Sequence, residues 1–151
     1  MSKIYGELEN VQTWQGEGIL QFLNAKKNNT HPLLTIPAEI ILRLGLDPNI
    51  FNPVTGTILF NLSGDRFYLT RFKDVYSEGR GSKFYLADGN QSWIDFDGNM
   101  SVQFRMKHYN LIFKLSEFFT ISVDGNIRKP RYTLNKQLKG NRSRVNVKGV
   151  I

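Results

Sequence analysis

The chain has 151 residues, 40% hydrophobic and 22% charged, so it is long enough for one domain with its own core and too apolar for a disordered segment. It has no cysteine and only two histidines, which excludes disulfides and cysteine nucleophiles and argues against a histidine-rich metal site. No apolar run approaches the roughly 20 residues of a transmembrane helix, and the N-terminus lacks the apolar stretch of a secretory signal. We therefore expect a cytoplasmic protein that does not associate with membranes and needs no metal or cofactor.

The positive charge is concentrated in the last third of the chain. Residues 1–100 carry nine basic and eleven acidic side chains, whereas residues 101–151 carry eleven basic and two acidic ones. Residues 126–151 contain no acid and eight cations: Arg128, Lys129, Arg131, Lys136, Lys139, Arg142, Arg144 and Lys148. Such asymmetry is typical of a segment that contacts a polyanion, usually nucleic acid. A solvated tail that keeps the protein soluble has the same composition.

Most of the chain has the composition of β-strands, rich in Phe, Ile, Leu, Val, Thr and Tyr. The predicted strands are 19–23, 33–36, 57–62, 66–71, 83–86, 93–96, 101–105, 111–114 and 118–123. Alternation of polar and apolar residues gives the strand 101–105 one dry and one wet face. In the basic segment, Val145 and Val147 alternate with polar residues in the same way, which predicts a final strand.

Turn signals separate these strands. They are Ser63-Gly64-Asp65, Asp88-Gly89-Asn90, Asp97-Gly98-Asn99 and Asp124-Gly125-Asn126. Asp-Gly and Gly-Asn pairs accept the positive φ angles of tight hairpins. We therefore interpret the acids near the turns, Asp95 included, as turn residues and not as a catalytic pair.

One short helix is predicted over 37–44. Pro37 stands in its first turn, Gly45 follows its last residue, and Pro48 comes shortly after. Two turns are too short to be stable alone, so the helix must pack on the rest of the chain. Because adjacent large aliphatic residues on an exposed face would form an apolar patch, we expect both Ile41 and Leu42 to be buried.

The run LTIPAEIILRLGLDP, residues 34–48, resembles the AbrB/SpoVT-type swapped-hairpin transcription factors. Their pattern is a strand ending in Thr-Ile-Pro, then Ala-Glu-Ile, a short helix ending Leu-Gly-Leu, and a strand pair with a Gly-Asp turn, here within 57–69. The resemblance covers 33–72. It implies an interlocked homodimer whose strand faces and basic loops lie on duplex DNA. Where the family has Arg-Gly-Gln this chain has His31, Pro32 and Leu33, so the nearby Lys26 and Lys27 are the predicted replacements for the DNA-facing arginine.

Aromatic residues alternate with cations in two other segments. These are 66–73, RFYLTRFK, and 104–109, FRMKHY. Proteins that bind single strands use such residues on strands as stacking platforms. A small β-domain also needs aromatic residues in its core, which is the interpretation favoured for Phe67, Leu69, Phe104 and Phe113 and left open for Tyr68, Phe72 and Tyr109. The cations of the second segment, Arg105 and Lys107, join the predicted nucleic-acid contacts.

Together these observations predict an α+β, mostly β fold: a small antiparallel barrel or two packed sheets, with one short helix. Residues 1–125 form the β-rich domain and 126–151 the basic C-terminal segment. The predicted function is non-catalytic binding of DNA, duplex favoured, by a transcription or nucleoid-associated regulator of prokaryotic or phage type. The alternatives are a phage-type module that binds and alters a host protein, and a single-stranded nucleic-acid binder.

Overall fold

The computed structural model describes residues 2–23, 41–42, 48–110, 115–138 and 146–150. Short 3-10 turns cover Val11–Thr13, Pro48–Phe51 and Glu78–Arg80. The strands are β1 Lys3–Tyr5, β2 Gln15–Phe22, β3 Pro53–Ser63, β4 Arg66–Ser77, β5 Ser82–Leu86, β6 Trp93–Asp95, β7 Asn99–Asn110, β8 Leu115–Asn126, β9 Lys129–Leu138 and β10 Asn146–Val150.

All ten strands belong to one antiparallel sheet. Its order is β1-β2-β3-β4-β5-β7-β8-β9-β10, and β6 pairs with β4 and β7 beyond the end of β5. The prediction of a mostly β fold is confirmed. In the described part of the chain no ladder joins β10 to β1, so the hydrogen bonds do not close this sheet into a barrel.

The core lies on one face of the sheet, where alternate residues are buried. On β7 the buried series is Met100, Val102, Phe104 and Met106, and equivalent series run along β8 and β9. Phe51, just before β3, packs edge-on against Phe119 of β8 with ring centroids 4.9 Å apart. Since β4, β5 and β7 separate these two strands in the sheet, the sheet curves around its core.

The predicted core residues are found on this face, although not all of them are fully buried. Phe104 has no exposed surface and Phe72 is also buried, which decides the alternative left open for Phe72. Phe67 and Leu69 are half-buried. Phe113 lies outside the described residues, as do the predicted strands 33–36 and 111–114.

The predicted turn at Asp124-Gly125-Asn126 is wrong by two residues. Strand β8 runs through Asn126, which pairs with Lys129 across a turn at 127–128. The Asn126 side chain holds this arrangement: its amide nitrogen donates to the Asp97 carbonyl at 3.0 Å, and its oxygen accepts from the Arg128 N–H at 3.1 Å. Gly125, with φ of 99°, takes its unusual conformation inside the strand.

Only Ile41 and Leu42 of the predicted helix belong to the described residues, and both are helical. Ile41 is 1% exposed and packs in the core, whereas Leu42 is 61% exposed. The expectation that both are buried is therefore wrong for Leu42. Adjacent helical residues point about 100° apart, so the core takes one of them and leaves the other at the surface.

The basic segment 126–151 contributes two strands to the same sheet. Strand β9 pairs with β8 from Lys129 to Leu138 and buries Tyr132 and Leu134. Strand β10 pairs with β9, at the position where a final strand was predicted. The first half of this segment is thus part of the core, with its cations on the strand faces and turns.

Candidate nucleic-acid interface

Cations and aromatic rings meet in rows on the outer face of the sheet. Neighbouring strands place Tyr76, Lys83, Lys107 and Phe118 side by side across β4, β5, β7 and β8. They point outward because their strand neighbours, such as Phe84, point into the core. We call these four residues the first row.

A second row lies beside the first. Tyr85 of β5 is directly opposite Arg105 of β7. Tyr85 is 40% exposed, and Phe118 of the first row is 39% exposed. The Arg105 guanidinium is 3.9 Å from the Asp88 carboxylate, but both side chains are largely solvated, so this ion pair contributes little and leaves the cation available to a ligand.

The two lysines of the first row form a like-charge pair. Lys83 and Lys107 are direct cross-strand partners, and like charges directly opposite each other disfavour folding. Their ammonium groups reach toward different rings: the Lys83 nitrogen is 5.5 Å from the Tyr76 ring centre, and the Lys107 nitrogen is 5.7 Å from that of Phe118. The Lys83 nitrogen is also 5.2 Å from the Tyr85 ring centre, so both ammonium groups lie beside aromatic rings.

The charge of Lys83 is maintained by its surroundings. The Tyr85 side chain, and then a hydrogen bond with Tyr76, raise the pKa of Lys83 above its ordinary value. Because the pKa of a lysine is already about 10.4 in model peptides, this side chain stays cationic throughout the neutral range. Lys83 thus contributes a fixed positive charge to the first row, next to the Tyr76 ring.

Between β5 and β6 the chain leaves the sheet and returns. The Ala87 N–H donates to the Gln103 carbonyl at 3.1 Å, and the Ser92 hydroxyl accepts from the Gln103 N–H at 2.9 Å. Residues 88–91 form a loop between these two contacts. Because the loop leaves the sheet, the Gln103 N–H bonds to the Ser92 hydroxyl in place of a strand carbonyl. Ser92 itself is 1% exposed.

This excursion opens a pocket of ≈ 390 Å³ on the outer face, next to the second row. Its lining is Asn90, Gln91, Ser92, Ser101, Val102, Gln103, Ser122 and Asp124. The Asn90 amide donates to the Gln103 side-chain oxygen at 2.8 Å, and the Gln103 amide donates to the Ser122 hydroxyl at 3.3 Å. The Ser101 hydroxyl donates to the Asp124 carboxylate at 2.7 Å. The pocket is polar and its amides are held in place.

Beyond the pocket lies a stacked pair. The Arg66 guanidinium is 4.1 Å from the centre of the Trp93 ring, and Trp93 is the cross-strand partner of Ser101.

Asp95 accepts hydrogen bonds from the Asn99 N–H at 2.7 Å and from the Asn99 side-chain amide at 2.9 Å, as expected of a turn residue. Burial alone would raise the pKa of Asp95, but these bonds and the Arg66 charge hold the pKa below its ordinary value.

The structure brings only some of the predicted contacts together. Arg105 and Lys107 lie in the two rows. Arg128 and Lys129 are exposed at the turn at 127–128, roughly 20 Å from Arg105 along β8. Arg131 is exposed and lies directly opposite Asp124 of the pocket lining. The backbones of Lys136 and Lys148 belong to β9 and β10. The other predicted contacts lie outside the described residues: Lys26, Lys27, Lys139, Arg142 and Arg144.

The contacts predicted from the sequence include no residue of β5. Lys83 and Tyr85 alternate with the buried Phe84, and that alternation was the available signal. Tyr68 of the segment 66–73 faces outward beside Trp93. The rows combine residues from four strands, so no single segment of the sequence contains them.

Ser82 and His108, at the edge of the core, are residue types that occur together in hydrolase active sites. The Ser82 hydroxyl is 3.1 Å from Nδ1 of His108. The same nitrogen is 3.0 Å from the Gly81 carbonyl oxygen, which can only accept, so Nδ1 carries the proton and is not a base for the serine. Among the described residues no group of three or more His, Asp or Glu is arranged to hold a metal ion.

The described residues contain no helix long and apolar enough to cross a membrane. Comparisons with protein-family models, curated protein sequences and solved structures find no match to this chain. The hairpin of β3 and β4 spans the second half of the segment that resembles the AbrB/SpoVT-type family, while most of its first half lies outside the described residues. That resemblance stays a prediction.

Proposed function

We propose that this chain binds nucleic acid without catalysis, and that it takes a single strand on the outer face of β4, β5, β7 and β8. The observation that carries the proposal is the first row, in which two lysines stand between two aromatic rings. Single-strand sites combine a positive surface that follows the backbone with aromatic side chains on which bases stack.

Exposed rings favour a single strand over a duplex. In a duplex the bases stack on one another, and direct readout there needs an element that enters a groove. In a single strand the bases are free to stack on rings such as Tyr85 and Phe118, which contributes roughly 1–3 kcal/mol per base. The duplex-binding expectation depended on the family resemblance and on Lys26 and Lys27, which lie outside the described residues.

The like-charge pair also supports a polyanionic ligand. Lys83 opposite Lys107 gives no benefit to the free protein, since like charges across a strand pair disfavour folding. A phosphate between the two ammonium groups turns that repulsion into two attractive contacts. We therefore expect the first row to lower the stability of the folded protein and to favour binding of a polyanion.

The test measures the binding of a labelled oligothymidylate by fluorescence anisotropy. The unmodified protein is compared with Lys107→Gln, Lys83→Gln and a matched control, Lys3→Gln. Lys3 is an exposed lysine on the edge strand β1, so its replacement removes the same charge away from the rows. We expect each row variant to weaken binding and to reduce the salt slope by about 0.7, the value for one phosphate contact on a single strand. The control keeps the slope of the unmodified protein.

The contribution of base stacking is tested with Tyr85→Leu. The matched control is Tyr5→Leu, because Tyr5 is an exposed tyrosine on β1. The first substitution should weaken binding, by an amount within the range for one stacked base, and the second should not. Competition with a duplex of the same length completes the design. If the duplex competes as well as the single strand, the choice of a single strand is wrong. If neither binds at low salt, nucleic-acid binding itself is wrong, and a protein partner becomes the remaining interpretation.

A further inference from the structure

We infer that the polar pocket between β5 and β6 holds one base of the bound strand and selects guanine. This inference rests on the proposed function, since the pocket needs a strand to deliver the base. The pocket volume, ≈ 390 Å³, is at the lower end of the roughly 300–1,000 Å³ typical of small-ligand sites. Sequence-specific readers of single strands commonly bind bases by their Watson–Crick edges in such recesses.

The position of the pocket fits a strand that crosses the two rows. Gln103 lies two residues before Arg105 on the same face of β7, which corresponds to roughly 7 Å along the strand. On the other side, Ser101 is opposite Trp93. A nucleotide chain that contacts Arg105 and Tyr85 therefore has its next base within reach of the pocket.

Asp124 determines which base is preferred. Its Oδ1 accepts from the Ser101 hydroxyl at 2.7 Å, and its Oδ2 has no hydrogen-bond partner within the described ranges. Guanine has two adjacent donors on its Watson–Crick edge, N1–H and the 2-amino group, which match the two oxygens of a carboxylate. Each carboxylate oxygen has two lone pairs, so Oδ1 can keep its bond to Ser101. The other bases do not present two adjacent donors there.

The amides of the lining supply donors for the remaining group on that edge. Guanine carries the acceptor O6 beside N1–H. The Asn90 and Gln103 amide groups each use one hydrogen in the bonds given above, and each amide group has two. The second hydrogens are suited to an acceptor such as O6. Because the amides bond to each other and to Ser122, they are already oriented before a base enters.

The experiment compares a labelled oligothymidylate with the same oligomer carrying one central guanine, adenine or inosine. Inosine has N1–H and O6 but lacks the 2-amino group. With the unmodified protein we expect guanine to bind about tenfold more tightly than thymine or adenine, the lower range for a good bidentate contact. Inosine should lose most of that gain.

Asp124→Asn tests the carboxylate with almost no change in shape. Removing an acid strengthens binding to any polyanion, so the matched control is Asp97→Asn, an exposed acid in the turn between β6 and β7. We expect Asp124→Asn to bind all four oligomers with similar affinity and Asp97→Asn to keep the guanine preference. The inosine comparison needs no protein variant and therefore does not depend on how Asp124→Asn folds.

The outcomes separate the inference from the function. If all four oligomers bind the unmodified protein equally well, the base pocket is wrong while the proposed function stands. The same holds if adenine is preferred, or if Asp124→Asn keeps the preference for guanine. If no oligomer binds, the proposed function fails first and the inference fails with it.

Discussion

Ser92→Ala is the substitution whose cost follows most directly from the structure. The Ser92 hydroxyl is buried and accepts the Gln103 N–H at 2.9 Å. The longer contact of 3.4 Å to the Gln103 carbonyl matters less, because the Ala87 N–H already donates to that oxygen. In the alanine variant the Gln103 N–H loses its partner in the middle of the sheet. Because this hydrogen bond is only partly buried, its loss should cost about 0.5–1.5 kcal/mol, a measurable part of the roughly 5–15 kcal/mol that stabilises a typical domain.

Urea denaturation of the unmodified protein and of Ser92→Ala measures this cost. The control is Ser63→Ala: Ser63 is exposed at the end of β3 and makes no side-chain hydrogen bond within the described part of the chain, so its replacement should change the free energy of unfolding by less than about 0.5 kcal/mol. Hydrogen exchange of the Gln103 backbone N–H should also become faster in Ser92→Ala. If Ser92→Ala is as mild as the control and the amide stays protected, our account of the loop is wrong.

Three further substitutions test the core and the turn. Ile41→Ala should lower the free energy of unfolding by about 2–5 kcal/mol, whereas Leu42→Ala should change it by less than about 0.5 kcal/mol; equal losses in urea melts would contradict the different burial of the two residues. Asp95→Asn should destabilise the protein at neutral pH, because a carboxyl whose pKa is lowered by folding stabilises the native state above its unfolded pKa, about 3.9. That difference should disappear as the pH falls through the lowered folded pKa, and an acid titration in which it persists would refute the assignment.

Local chemistry determined much of the strand pattern. The alternation around Val102 and Phe104 predicted which side of β7 is dry, because successive side chains point to opposite faces of a sheet. Gly64 and Gly98 have positive φ angles, 61° and 83°, at two of the predicted turns. These features depend on residues close in sequence, which is why they can be read without a structure. The bounds were less well predicted, since pairing with neighbours extends β4, β7 and β8 beyond their most apolar parts.

The candidate interface depended on the tertiary structure. Lys83 and Lys107 are 24 positions apart in the sequence, and only the register of β5 against β7 makes them partners. The pocket also depends on the hydrogen bond from the Gln103 N–H to the Ser92 hydroxyl, which no local sequence pattern predicts. The basic residues near the C-terminus dominated the charge count, but strand register decides where each of them lies. Arg131 of β9 is opposite Asp124 of the pocket, whereas Arg105 and Lys107 of β7 lie beside the rings of β5 and β8. Composition indicates how many charges a chain carries, whereas strand register decides which of them share a surface.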